Sequence, residues 1–503
     1  MILIPLSMIF LFFVVMLVII RKQLGVSSFE EYATASRSFG FFAITFSVLA
    51  TWCVGAMYTA WAGMAITYGF TALYCVAYAA ITMIIMYFVA PKTYIWGKKY
   101  GITTQSELLG FRYQSKTVRV LTGIWGIVFT IPWLIVEIVT QGYVFEYASD
   151  GTISQFWGMV LGLAVITLFV SLGGMKSVIS ANVFQGIVLI FGSTALMVYF
   201  VYKFVGGFGA GFEMASTQFP DMLTFPGPGW DPPTPYWTSI VILSGLGGFM
   251  WPWAYNKLFA GDSLRSIKVS ALLSPIIYAI FFSSFVFTAI FLHSQEQVLA
   301  DVQGAFLYVA KESGPFALGM LGVIIMANSV GTVSGIMQAI STTVSRDIAQ
   351  VLKSNISDKK AINIARISVV IISILSLFFG TLDLGLMVFL ALFTYDGITL
   401  LFPVVALGLF WKRANKEGAI TGLIAGTALS MFLRFFNPSF IDSLGWQPGV
   451  YGLILSILIM VVAGYAKSPS IFDEKLWKET NEVFGKNSSN LTKPLAKLDN
   501  VVE

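Results

Sequence analysis

Two acidic residues stand inside long apolar runs. Glu137 lies in Pro132-Trp133-Leu134-Ile135-Val136-Glu137, with Gln141 one turn further on the same face, and Asp396 lies in Phe393-Thr394-Tyr395-Asp396-Gly397. An acid at mid-membrane costs roughly 2.5–3.5 kcal/mol on insertion scales, so it faces a cavity or a partner. Each can be protonated, bind a cation, contact a substrate amine or hydroxyl, or stay neutral and hydrogen-bonded to neighbouring helices. No Lys or Arg is expected at comparable depth. A polar stripe offers different chemistry. Gly331, Gly335, Gln338, Thr342 and Ser345 recur at spacings of 4, 3, 4 and 3 and share one helical face, which Asn328 and Thr332 continue outward. Such oxygens can ligate a dehydrated monovalent cation or serve as polar contacts between packed helices.

These residues need a frame to hold them. The chain has 503 residues, 57% hydrophobic and 11% charged, with mean hydropathy +0.82. Soluble domains run nearer 25% charged, so a water-soluble globular protein is excluded. A bilayer core asks for roughly 20 apolar residues per helix. Thirteen runs meet this: 2–20, 41–66, 70–91, 118–146, 153–173, 179–204, 236–257, 267–293, 314–347, 362–381, 385–411, 417–436 and 447–466. The expected fold is an all-α polytopic membrane protein of about 13 transmembrane helices. The first run has no basic flank before it and no small-residue cleavage site after it, and reads as a retained span. Cys53 and Cys75 both lie inside apolar runs and leave one disulfide open, but nothing resembles a disulfide or zinc framework, and the lone His293 excludes histidine clusters.

Thirteen spans divide the loops into two sets. One set holds 27 of the 30 Lys and Arg, the other only Lys203, Lys311 and Arg434. The positive-inside rule then puts the N-terminus outside and the C-terminus in the cytoplasm of a plasma (inner) membrane protein. The basic residues sit in short loops between apolar runs, which argues against a nucleic-acid partner. A Lys-rich tail, 467–503, carries Asn487-Ser488-Ser489-Asn490 and is too short for a soluble signalling domain.

Counting the first run as helix zero, helices one and six are expected to be discontinuous. Helix one reads Ala50-Thr51-Trp52-Cys53-Val54-Gly55-Ala56. Helix six reads Ser244-Gly245-Leu246-Gly247-Gly248-Phe249-Met250-Trp251-Pro252, where Gly and Pro remove packing and a backbone donor together. Interruptions five helices apart match two inverted halves that each place an unwound segment at the midplane. Close helix packing is the other use of such glycines.

Four stretches resemble the sodium/solute symporter family, whose members include proline, pantothenate and sodium–glucose symporters. They are Gly173-Gly174-Met175-Lys176-Ser177-Val178 with Asn182 and Gln185; Phe249-Met250-Trp251-Pro252 through Lys257-Leu258-Phe259-Ala260; Ser341-Thr342-Thr343-Val344-Ser345-Arg346-Asp347-Ile348; and Pro403 to Gly426, with Leu409-Phe410-Trp411-Lys412-Arg413 and Gly418-Ala419. The resemblance covers about residues 28–436. It implies a LeuT-like five-plus-five inverted repeat. Residues 1–40 would be an extra N-terminal helix and cytoplasmic loop, 41–204 the first repeat, and 205–235 an extracellular Gly/Pro-rich loop. Residues 236–411 would be the second repeat, and 412–466 two added helices.

The same resemblance implies a sodium site at Ala50, Cys53, Asn328, Gly331 and Thr332. Gly331 stands where a hydroxyl residue is usual, Asn182 where many members have Asp, and Glu137 where a neutral amide is common. It also implies a solute site at Thr51, Trp52, Glu137, Gln141, Ser244, Gly248, Trp251 and Asp396. Ser244 and Gly248 replace aromatics of the proline carriers.

The expected function is secondary active, cation-coupled symport of a small organic solute into the cell by alternating access. The solute would be an amino acid, carboxylate or vitamin-like metabolite, and no cofactor is needed beyond a bound Na+. Two alternatives stand beside it: a proton-coupled symporter using Glu137, and a solute-sensing transceptor acting through a partner. An enzyme is not supported, since no catalytic triad, metal cluster or phosphate-binding G-x-x-x-x-G-K-[ST] loop occurs.

Overall fold

The computed structural model of the chain describes residues 2–21, 28–353, 356–382, 387–436 and 445–485. The Asn487–Asn490 segment and the rest of the tail beyond 485 lie outside the described residues, as do Met1 and parts of four loops. Among the described residues the chain is helical throughout, with one isolated β-bridge between Phe39 and Gly261. Lipid offers no partner to a bare amide, so apolar runs of this length satisfy their own backbone as helices.

In chain order the helices that frame the site and the two ends are α1 (Leu3–Arg21), α2 (Phe41–Trp52), α3 (Ala60–Tyr68), α4 (Tyr74–Tyr100), α5 (Gln105–Arg112) and α6 (Lys116–Ala148). They continue as α7 (Gln155–Ile187), α8 (Thr194–Val205), α9 (Thr234–Gly247), α10 (Pro252–Ala260), α11 (Leu264–Leu292) and α12 (Pro315–Thr343). The last six are α13 (Asp358–Gly380), α14 (Met387–Ile398), α15 (Leu401–Phe410), α16 (Lys416–Phe436), α17 (Pro448–Ala466) and α18 (Ile471–Gly485). Among the described residues nine helical stretches are long and apolar enough to cross a membrane, or ten if α14 and α15 form one bent span. Each of the thirteen expected runs is helical over most of its length. Two of them join: 155–205 is continuous but turns a corner at Gly174 (φ 57°, ψ −155°). A side chain there would also strike the main chain of Tyr32, at 2.9 Å from its carbonyl oxygen.

Both expected interruptions are present. α2 ends at Trp52; Cys53 and Val54 leave helical geometry, and a short turn over Gly55–Tyr58 leads into α3. α9 ends at Gly247 and α10 starts at Pro252, whose missing N–H costs nothing at the first position of a helix. A third break falls inside the run expected as one helix over 385–411. α14 and α15 meet at 41°. Pro403 cannot donate to the Thr399 carbonyl, which takes the Phe402 amide instead at 2.8 Å.

α12 is the central pillar, with 83% of its most apolar window buried. The C-terminal end of its polar stripe joins helices: Gln338 Nε2 donates to the Tyr32 carbonyl at 2.7 Å and Ser345 Oγ to the Ala361 carbonyl at 2.7 Å. The 205–235 segment folds over the α3–α4 junction, where the Gly227 amide meets Thr71 Oγ1 at 3.0 Å and Trp230 packs on Tyr68. At the opposite end Glu107 of α5 binds Arg119 (3.1 Å) and Arg346 (3.0 Å), and Arg119 also binds Asp347 (2.7 Å). α18 closes over that end. Asp473 pairs with the buried Arg112 at 2.6 Å, and Trp477 lies under both Lys92 and Arg112.

Candidate functional site

The break between α2 and α3 leaves amides without helical partners. Glu137 of α6 fills that need. Its Oε2 accepts from the Gly55 amide at 3.1 Å and its Oε1 from the Ala56 amide at 3.2 Å. The carboxylate is therefore an N-cap for the second half of the broken helix, supplied from another helix. A side chain at Gly55 would collide with Ser329 and sit 3.0 Å from Glu137 Oε2, so the close approach depends on glycine. Ser329 Oγ donates to the Glu137 carbonyl (3.0 Å) and accepts from Gln141 Nε2 (2.8 Å), which ties α12 into the same junction.

The end of α2 meets α12 through oxygen atoms. Thr332 Oγ1 lies 3.1 Å from the Asn328 carbonyl and 3.3 Å from the Thr51 carbonyl. A methyl group on Gly331 would lie 2.9 Å from the Ala50 carbonyl oxygen and 2.9 Å from Gln185 Oε1. Ala50, Asn328, Gly331 and Thr332 are thus brought together. Cys53 is buried at the break itself, and its amide closes the last turn of α2 on Leu49. Both Cys53 and Cys75 are free thiols.

The sequence suggested no deep Lys or Arg. The structure corrects this twice. Lys257, one of the 27 Lys and Arg assigned by the sequence to the cytoplasmic loops, is fully buried in α10, with Nζ 2.7 Å from Ser47 Oγ. With the Asn182 amide turned to suit its neighbours, its Oδ1 accepts from Lys257 Nζ at 3.0 Å and its Nδ2 donates to Gln185 Oε1 at 2.9 Å. Arg434 pairs with Asp396, whose other oxygen accepts from the Gly449 amide at 2.9 Å. Asp396 therefore fastens α14 to α16 and α17.

The remaining solute-site residues divide by their partners. Thr51 Oγ1 is committed to the Ser47 carbonyl at 2.7 Å. Gly248 caps α9 on the Ser244 carbonyl, and any side chain there would run into Thr82. Trp52 packs on Trp253 at 4.2 Å between ring centroids, and Trp251 packs on Trp133 at 5.6 Å and Tyr395 at 5.6 Å. Trp61 completes the group at 5.4 Å from Trp133. Among the described residues the indole N–H groups of Trp52, Trp133 and Trp253, Ser244 Oγ and Gln141 Oε1 are buried without a hydrogen-bond partner. Sequence reasoning did not single out Ser47, Trp61, Trp133, Lys257 or Ser329. The i, i+4 spacings Trp133–Glu137 and Trp253–Lys257 were the available signal.

Broken helices, a capped break and an oxygen-lined junction beside it define a secondary transporter. The model of the sodium:solute symporter family matches residues 32–426. The chain belongs to the sodium:solute symporter family, and it is a cation-coupled symporter of the membrane, not an enzyme. It is 24% identical over 459 residues to the uncharacterized symporter YhjB of Bacillus subtilis (strain 168), covering 88% of this chain and 92% of that protein. Against the sodium/pantothenate symporter of Escherichia coli (strain K12) the identity is 23% over 453 residues, with 88% and 91% covered. The fold is that of a Na+-coupled sialic acid symporter solved in a substrate-bound outward-open state. That structure superposes with a TM-score of 0.77 at 19% identity, over 93% of this chain and 98% of the other.

Proposed function

We propose that the protein carries a small organic solute into the cell with sodium by alternating access. The ion would sit between the end of α2 (carbonyls of Ala50 and Cys53) and α12 (Asn328, Gly331, Thr332). The solute would lie between the two breaks, against Trp52, Gln141, Ser244, Gly248 and Trp251. In this reading Glu137 shapes the site and Asp396 anchors its outer wall. The single observation that carries the proposal is the convergence of the Ala50 and Thr51 carbonyls on Gly331 and Thr332 beside a break capped by Glu137. One sodium ion moving down 100 mV gains about 2.3 kcal/mol, and a tenfold gradient adds about 1.4, enough to accumulate a neutral solute a few hundredfold. The charge distribution supports an external N-terminus and a cytoplasmic C-terminus in the plasma membrane.

Proton coupling is the rival, and one observation favours it: the Lys257 Nζ already occupies the polar space next to Gln185 and Asn182. Uptake of a radiolabelled metabolite panel into proteoliposomes, with sodium and pH gradients imposed separately, decides between them. Sodium-driven accumulation is expected. Uptake driven by pH alone selects the rival, and solute binding without either response selects a sensor.

A further inference from the structure

The second break, like the first, is held by a side chain from another helix. Gln105 is the first residue of α5 and is 1% exposed, and its Nε2 donates to the Met250 carbonyl at 3.0 Å. Met250 lies in the gap between α9 and α10. In an unbroken helix its carbonyl would accept from the Ala254 amide, but that amide goes to the Trp251 carbonyl at 3.0 Å. Glu137 supplies acceptors to the bare amides of the first break, and Gln105 supplies a donor to a bare carbonyl of the second. Beside this bond α10 starts hard against α6, for a methyl group on Gly126 would lie 2.6 Å from Pro252 Cγ.

The two sides of the contact belong to different groups of helices. α10 is fastened to α2 through Lys257 and Ser47. The Phe39 amide also donates to the Ala260 carbonyl at 3.2 Å, and the Asp262 amide to the Phe39 carbonyl at 2.9 Å. α5 is fastened to α6 and α12. Thr104 Oγ1, next to Gln105, donates at 2.7 Å to Asp347, on the continuation of α12, and Asp347 shares Arg119 of α6 with Glu107. Every residue of α10 is buried between these groups.

In the orientation proposed above, α2 and α10 are the inner halves of the two broken helices. A path to the cytoplasm opens when they part from α5 and α6. Parting the buried charges of Glu107, Arg119 and Asp347 would be costly, so these mark the fixed frame. A neutral hydrogen bond is different, because water entering an opened path replaces it on both sides and its net worth is small. The Gln105–Met250 bond therefore suits a contact made and broken in each cycle. Resting on the transport reading above, we propose that Gln105 is a positioning residue that holds the inner path shut by capping the Met250 carbonyl.

The test uses purified full-length protein in lipid nanodiscs, where both faces are open to reagent. A cysteine is placed by Asn256→Cys, one turn beyond Pro252 on the same face of α10, at a site 2% exposed. Its labelling by N-ethylmaleimide is followed by peptide mass spectrometry, beside that of Cys75, which is buried at the far end of α4 and reports general loosening. Gln105→Leu and Gln105→Glu, which keep the bulk and remove the amide donor, should each speed labelling at 256 about fivefold, the worth of one net hydrogen bond, with Cys75 unchanged. Labelling at 256 as slow as in the parent, or equal acceleration at both cysteines, overturns the proposal. Uptake by the unsubstituted chain is measured separately. Its failure under both sodium and pH gradients overturns the symport reading, whereas the labelling rates judge Gln105 alone.

Discussion

The carboxylate of Glu137 lies 3.1 Å from the backbone amide of Gly55, 82 positions away in sequence, and so ends a helix it does not belong to. A glutamine at 137 would turn an NH2 group toward one of two amide donors. Glu137→Gln should therefore destabilise the protein by about 1.5–3 kcal/mol, the worth of a hydrogen bond to a charged group. Thermal unfolding of the purified variant measures this, and sodium-driven uptake should slow without vanishing. A variant as stable as the parent would show that the carboxylate is not a cap. Uptake lost only under a pH gradient would instead assign it to proton transfer.

The α2–α12 junction gives a sharper expectation. Gly331→Ala puts a methyl group 2.9 Å from two oxygens, in contact range that real side chains seldom tolerate, and should abolish sodium-dependent uptake. Thr332→Ala removes the hydroxyl held between Asn328 and Thr51 and should raise the sodium concentration for half-maximal uptake about tenfold, the loss of one polar ligand worth about 1.4 kcal/mol. Titrating uptake against sodium checks both. Unchanged sodium dependence in Thr332→Ala would remove the assignment.

Asp396 and Arg434 form a pair whose acid is wholly buried while the arginine keeps 25% of its side chain exposed. Removing one partner of a buried pair costs about 3–5 kcal/mol, and the exposed arginine puts Asp396→Asn at the low end. The double variant Asp396→Asn with Arg434→Gln should lose less than the sum of the single losses. Equal and additive losses by chemical unfolding would mean that the two do not interact.

How far the sequence anticipated this follows from the range of each interaction. The spans and the second break rest on local composition, so apolar runs, Gly247, Gly248 and Pro252 sufficed. Gly174 was read as part of a loop, yet one positive φ turns the corner without any loop. Asp396 could be recognised as needing a partner, but Arg434 is 38 residues away on another helix, α16, and nothing local to either residue marks the pairing. Lys257 stands at the end of an apolar run and resembled a loop residue. α10 continues past it for three residues and tucks it against Ser47. Glu137 was expected to face a cavity or partner, and the partner proved to be main chain, which leaves no mark in residue types.

The ionic cluster on the opposite end carries a pH signature. Burial works against the charge on Glu107, but Arg119, Arg346 and the Thr103 amide hold its carboxyl below the usual range. A depressed pKa stabilises the folded state above the unfolded value, near 4.3, and that stability is lost as pH falls through the lower folded value. Stability owed to Glu107 should be level from about pH 5 to 8 and fall in acid below about pH 4. Arg346→Gln removes one of the two guanidinium partners and should move the acid midpoint upward. Melting temperatures across pH for both proteins provide the check, and coincident profiles would exclude Arg346 from holding Glu107 charged.

The surroundings of Arg112 set an order of events during synthesis. Its guanidinium donates to the carbonyls of Gly408, Trp411, Lys412 and Ala414 and to Asp473, between 296 and 361 positions downstream. While the ribosome is still working through the middle of the message, that cation has none of these acceptors. A nascent chain stopped before residue 408 therefore carries an unfinished arginine pocket, so the last fifth of the polypeptide completes the first quarter.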